Sequence, residues 1–257
     1  MAWRLSLAVI VLLVAPLDGR AVEPPADGDV VVNSLGMRMV LVPEGSFRMG
    51  SPPGEPLRQD EEFPRRVALT RAFRIASTEV TQRQWLALMA WNRSGNEGDD
   101  LPVTSVSWKD ALEFCVRLSA KEGATYRLAT EAEWEYACRA GTAGPVTGTE
   151  RPAVAWYADN SEGTTHPVGL KRPNPWGLFD MLGNVAEWTL DAYEPYPRVE
   201  EVGDPTGPTE GNTRVVRGGA YRSFGPAVRC AARAGTGKSY QLHHVGLRVV
   251  EEIQETR

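Results

Sequence analysis

The sequence predicts one globular domain in which a few helices and short strands are joined by many turns. Three observations predict it. Glycine (25 residues) and proline (19) punctuate the chain, so long regular elements are interrupted. Helix-opening patterns occur at three places only. No repeat of 20–50 residues exists, and no linker divides the chain beyond its N-terminal region. The length of 257 residues alone allows one domain or two. A content of 42% hydrophobic and 24% charged residues excludes disordered and fibrous classes. The net charge of −5 supplies no basic face for nucleic acid. Seven of the eight tryptophans follow Trp3, which points to a core of large flat groups rather than a helical bundle.

The chain opens with Met1-Ala-Trp-Arg4, an apolar run over residues 5–17, and small residues at Gly19 and Ala21. This is the pattern of a secretory signal peptide over residues 1–21, cleaved after Ala21. The run falls short of the roughly 20 residues that span a bilayer, and no cysteine follows it for lipid attachment. An uncleaved anchor is the alternative. The expected location is therefore outside the cytoplasm, periplasmic or secreted. Residues 22–32 read as a polar, proline-containing linker, 33–251 as the domain and 252–257 as a tail.

Within the domain, Met39 to Val42 and Phe47 to Met49 are short strands around a Pro43-Glu-Gly45 turn. Val67, Leu69, Phe73 and Ile75 alternate like a strand with one slip. Thr81-Gln-Arg-Gln84 is a capping box that opens a helix carrying Trp85 and Met89. Residues 92–100 are a polar loop. Ser107-Trp-Lys-Asp110 opens a second helix that Gly123 ends, and Thr130-Glu-Ala-Glu133 opens a third that runs to about Ala140. Residues 160–191 are rich in turns. Val215-Val-Arg217 is a strand entering a Gly-Gly turn, and Val245 to Val250 form a last strand.

Three cysteines in an exported protein allow one disulfide and leave one thiol. Cys115 shares an apolar helix face with Ala111, Phe114 and Leu118, as a buried thiol would, so Cys138 and Cys230 are the favoured pair. Phosphate loops, dinucleotide fingerprints, serine nucleophile elbows and paired-histidine zinc motifs are absent from the sequence. His243-His244 reads as surface or hydrogen-bonded histidines rather than a metal pair, and His166 stands alone. Asn92-Arg-Ser94 fits a glycosylation sequon, with meaning only in a eukaryote. Asp180 and Glu187 flank a turn containing Gly183, and such hard oxygen donors suit calcium. The plain alternative is a carboxylate that caps the turn.

Ten segments in order resemble the formylglycine-generating enzyme, or sulfatase-modifying factor, family. Among them are Phe47-Arg-Met-Gly-Ser51, Glu79-Val-Thr81, Pro102-Val-Thr-Ser-Val-Ser-Trp108, Arg127-Leu-Ala-Thr-Glu-Ala-Glu-Trp134, Gly183-Asn-Val-Ala-Glu-Trp188, Arg217-Gly-Gly219, Arg229-Cys-Ala-Ala-Arg233 and Gly246-Leu-Arg248. The resemblance implies a single α+β domain of C-type lectin-like fold. It places Asp180, Glu187 and the carbonyls of Gly183 and Val185 on a family calcium site, and Cys138 and Cys230 on a family disulfide. A ligand cleft lined by Trp188, Arg217, Tyr221 and Arg222 is implied by analogy, whereas Arg217, Arg229 and Arg233 are also natural partners for structural ion pairs.

The family's oxidase holds copper(I) on two cysteines between the Gly-Gly turn and the Arg-Cys-Ala-Ala-Arg motif, and converts a substrate cysteine to formylglycine. Here that segment reads Ala220-Tyr-Arg-Ser-Phe-Gly-Pro-Ala-Val228, without a cysteine. Copper(I) prefers thiolates, so copper is not expected. Ala220 and Ala186 stand where the resemblance places an active-site serine and tryptophan. Two functions follow as expectations. One is a calcium-stabilised module that binds a peptide, glycan or partner protein through residues 220–228 and Tyr193-Glu-Pro-Tyr-Pro197. The other is an oxidoreductase with a changed centre, of the formylglycine-generating or siderophore-maturation type.

Overall fold

The computed structural model describes residues 29–142, 150–208 and 210–254. The expected signal peptide and most of the expected linker lie outside the described residues. The end of that linker is structured: Val30–Val32 form strand β1, paired antiparallel with residues 38–40.

Three small sheets make the domain. The first is antiparallel, in the order β1, β2 (Arg38–Val42), β5 (Phe73–Ala76), β12 (Val249–Glu252), β6 (Tyr126–Leu128). The second runs β10 (Arg233–Gly237), β9 (Thr213–Arg217), β7 (Ala186–Ala192), β11 (Val245–Gly246), its last pair parallel. The third joins β3 (Gly45–Met49), β4 (Arg65–Leu69) and β8 (Glu201–Gly203). The helices are α1 (Gln82–Leu86), α2 (Trp108–Glu122), α3 (Glu131–Arg139) and the single turn α4 (Arg151–Val154).

The three predicted helix starts are present. Thr81, Ser107 and Thr130 each accept a backbone N–H three residues on, and Gln84, Asp110 and Glu133 each accept the cap residue's own N–H. Each cap stabilises its helix by about 1 kcal/mol. Gly123 closes α2 in the left-handed region, and α2 buries the predicted face of Ala111, Phe114, Cys115 and Leu118. Helix α1 is shorter than predicted, and Met89 lies past its end. The chain turns back there so that the Trp91 carbonyl accepts the Trp85 indole N–H at 2.8 Å. Two predicted strands are each divided. The slip between Leu69 and Phe73 is a turn between two sheets, and the last strand breaks at Leu247 and Arg248 between β11 and β12.

Two apolar clusters fill the interior. One gathers Trp134, Tyr136 and Trp176, and the other gathers Trp85, Phe114 and Trp188. These four tryptophans are fully buried. Among the described residues no helix is long and apolar enough to cross a membrane.

Candidate functional site

The turn from Asp180 to Glu187 carries the predicted calcium donors. Gly183 lies at φ +79°, and a Cβ there would strike the carbonyl of Trp156, so only glycine fits. Asp180 is 2% exposed. Its Oδ2 accepts the Gly169 N–H at 2.6 Å, while its Oδ1 is buried without a partner. Glu187 is fully engaged: Arg248 donates to both of its oxygens, and the Trp134 indole donates to Oε2 at 2.7 Å.

Sequence reasoning named no role for Glu79, which lies in this neighbourhood. It is completely buried, and neither carboxylate oxygen has a hydrogen-bond partner. Burial pushes its carboxyl well above the ordinary range, and the charges of Asp180 and Glu187 push the same way against Arg248. Burial likewise raises Asp180. Only its match to a family segment marked Glu79, because a lone glutamate in a non-helical segment has no periodic signal. Three carboxylates thus face one guanidinium, and three of their oxygens lack any donor. A hard cation suits these oxygens together with backbone carbonyls. Among the described residues, no three His, Cys, Asp or Glu side chains converge as a metal cluster on their own.

The three cysteine sulfurs are all accounted for elsewhere. Cys138 and Cys230 form a disulfide. Cys115 is buried in α2, where burial pushes its thiol up to about 12. The segment over residues 220–228 therefore offers copper(I) no thiolate, and this chain does not fit the family's copper centre. Ala186 and Ala220 pack in the same apolar cluster as Trp188.

The structure separates the four residues placed on the cleft by analogy. Trp188 is core, with its indole N–H donated to the Val106 carbonyl at 3.0 Å. Arg217 is core too; it donates to the carbonyls of Cys230, Ala231 and Ala232 and pairs with Glu135. Arg229 pairs with Glu55 and Glu62, and Arg233 with Glu131. Tyr221 and Arg222 do line a cavity of about 280 Å3, with Gly95, Asn96, Thr104, Gly163 and His243. The loop residues among these carry no helical or strand pattern, so the sequence did not connect them. Tyr193 and Tyr196 pack on the Arg233 guanidinium, away from that cavity's lining.

A domain of short mixed sheets and few helices with this course is an α+β, C-type lectin-like fold. Residues 32–253 match the family model described as the sulfatase-modifying factor enzyme 1-like domain, and the chain belongs to that family. It is 29% identical to the formylglycine-generating enzyme of Mus musculus, with 82% of this chain and 74% of that protein covered. It is also 29% identical to chaperone protein LppX of Paenibacillus barcinonensis, over 84% of this chain and 88% of that one. The solved structure of PvdO from Pseudomonas aeruginosa superposes with a TM-score of 0.79 at 27% identity, covering 90% of this chain and 99% of that one.

Proposed function

We propose that this chain is an exported binding module of the family, one that has lost the copper-dependent oxidation of cysteine to formylglycine and takes a peptide, glycan or partner protein. The observation that carries the reading is the disposition of sulfur: two cysteines in a disulfide, one sealed in α2, and none over residues 220–228. The relative named a chaperone protein, similar over most of both chains, agrees with binding without oxidation. The disulfide agrees with an oxidising compartment, periplasmic or extracellular.

In this reading calcium is structural. Asp180, the carbonyls of Gly183 and Val185, and Glu79 would hold it, with Glu187 fixing the turn through Arg248. The unpartnered oxygens of Glu79 and Asp180 support that assignment. The ion would supply charge neutralisation to a buried acidic group, and the rigid turn would then position Tyr221, whose N–H is donated to the Asn184 carbonyl at 2.8 Å.

The second reading, an oxidoreductase with a changed centre, draws on the match to formylglycine-generating enzyme over most of the chain. A single-turnover assay separates the two. The purified chain is offered a peptide containing Cys-x-Pro-x-Arg with and without Cu(I), and the peptide mass is read. An unchanged thiol is the expected result. Conversion to the aldehyde sinks the binding-module reading.

A further inference from the structure

We propose that the cavity between Tyr221, Arg222 and His243 is a carboxylate pocket that receives an acidic side chain of an extended peptide, with an apolar neighbour of that residue resting on Phe224. The inference rests on the binding-module reading and names the chemistry of its ligand.

Charge comes first. The cavity's charged lining side chain is Arg222, and no carboxylate lines it. Arg222 is exposed and takes part in no ion pair among the described residues; its guanidinium lies 5.3 Å from the ring of the neighbouring Tyr221. His243 also lines the cavity, its Nδ1 3.3 Å from the hydroxyl of buried Ser105. His244 beside it is held below the ordinary histidine range by burial, then by the charges of His243 and Arg222. The local field is positive. Glu97 and Glu162 adjoin lining residues in sequence, but both are exposed and neither lines the cavity.

The walls are fixed before any ligand arrives. The Asn96 amide donates to the hydroxyls of Thr164 and Thr165, and the Asn96 carbonyl accepts from Gln82. The Ser161 hydroxyl donates to the Tyr221 carbonyl at 2.7 Å. A preformed wall lowers the ordering cost of binding. A volume of about 280 Å3 suits one side chain rather than a whole ligand.

The same lining favours peptide over glycan. Sugars present hydroxyls on every face and are commonly held by carboxylate acceptors together with amide donors, yet here the Asn96 Nδ2 donor is already spent on Thr164 and Thr165 and no carboxylate lines the cavity. Phe224 is 71% exposed, two residues beyond Arg222 and so within roughly 7 Å along the chain. One concentrated charge beside an apolar group is the pattern of an acidic, hydrophobic peptide.

The test uses the full chain and fluorescence anisotropy. The probe is a labelled peptide, Gly-Phe-Glu-Phe-Asp-Gly; the controls are its Gln/Asn counterpart and an oligomer of glucuronic acid. Wild type should bind the acidic peptide at least about tenfold more tightly than the amide peptide. Arg222→Glu should erase that preference, and Phe224→Ala should weaken both peptides. Both positions are exposed, and circular dichroism checks that the variants fold. Equal binding of the two peptides, or an Arg222→Glu variant that keeps the preference, overturns the carboxylate pocket while leaving a binding module. Tighter binding of the glucuronic acid oligomer overturns the choice of peptide. Turnover of the cysteine peptide described above is a separate result and strikes only the module reading.

Discussion

Glu187 and Arg248 meet in the core through three hydrogen bonds, with each side chain 1% exposed. Arg248 also donates to the carbonyls of Ala76 and Phe179 at 2.9 and 2.8 Å. One guanidinium therefore ties β5, β7 and the kink between β11 and β12 into a single unit, and it lowers the cost of the surrounding buried carboxylates.

Arg248→Met should be severely destabilising. It removes the guanidinium that pairs with Glu187 and whose charge also acts on Glu79 and Asp180, and breaking a buried pair on one side costs about 3–5 kcal/mol. Urea unfolding at pH 7 measures it, with a fall in midpoint at unchanged slope as the expected outcome.

Calcium should raise the unfolding temperature, and EGTA should lower it. Free calcium at a hundredfold excess over its dissociation constant adds about 2.7 kcal/mol. Asp180→Asn and Glu79→Gln should blunt the response. Identical melting curves in calcium and in EGTA would leave the buried carboxylates to be neutralised by protons alone.

Asp191 supplies a pH test away from that turn. Burial, and then the charge of Glu131, raises its carboxyl well above the ordinary 3.8, although it accepts the Glu131 N–H at 2.6 Å. The native state thus holds this proton to higher pH than the unfolded chain does. Its contribution is present in full below 3.8 and is lost as pH rises through the raised value. The stability of wild type relative to Asp191→Asn should therefore decline as pH rises above about 4, as read from paired urea titrations.

Thiol counting checks the sulfurs. Native protein at pH 8 should leave Cys115 unmodified by a disulfide-exchange reagent, since the thiol's pKa is pushed up to about 12. Denaturant should reveal one thiol, and denaturant with reductant three. Loss of the Cys138–Cys230 bridge should cost about 4–5 kcal/mol in the chain-entropy model, given the long loop it closes.

Gly183→Ala should lower stability by more than about 1 kcal/mol, because the residue sits at φ +79° and its Cβ would meet the Trp156 carbonyl. A melting-temperature comparison with Gly123→Ala, where nothing lies within 4 Å, separates the clash from the backbone strain.

Local chemistry was the legible part of this fold. Thr81, Ser107 and Thr130 announce helices because a cap and its partner lie three residues apart. Cys115 reads as buried because its face repeats along α2. The break between β11 and β12 was not legible, since Arg248 leaves the strand pattern to reach a glutamate 61 residues away. The same holds at the candidate site. Arg217 and Arg222 look alike in sequence, yet carbonyls from residues 230–232 draw the first inward, while no carboxylate among the described residues pairs with the second. Asn96, Thr104 and His243 join Tyr221 only through loops from distant parts of the chain.

Strand β12 occupies an interior place in its sheet, between β5 and β6. It is the last strand of the domain in chain order, and until its residues arrive β6 has no neighbour to bridge it to β5. A nascent chain that stops short of β12 therefore cannot complete this sheet. Folding of the sheet is postponed until residue 252 has emerged, which makes a premature stop before Val249 a lesion of the whole domain rather than of its edge.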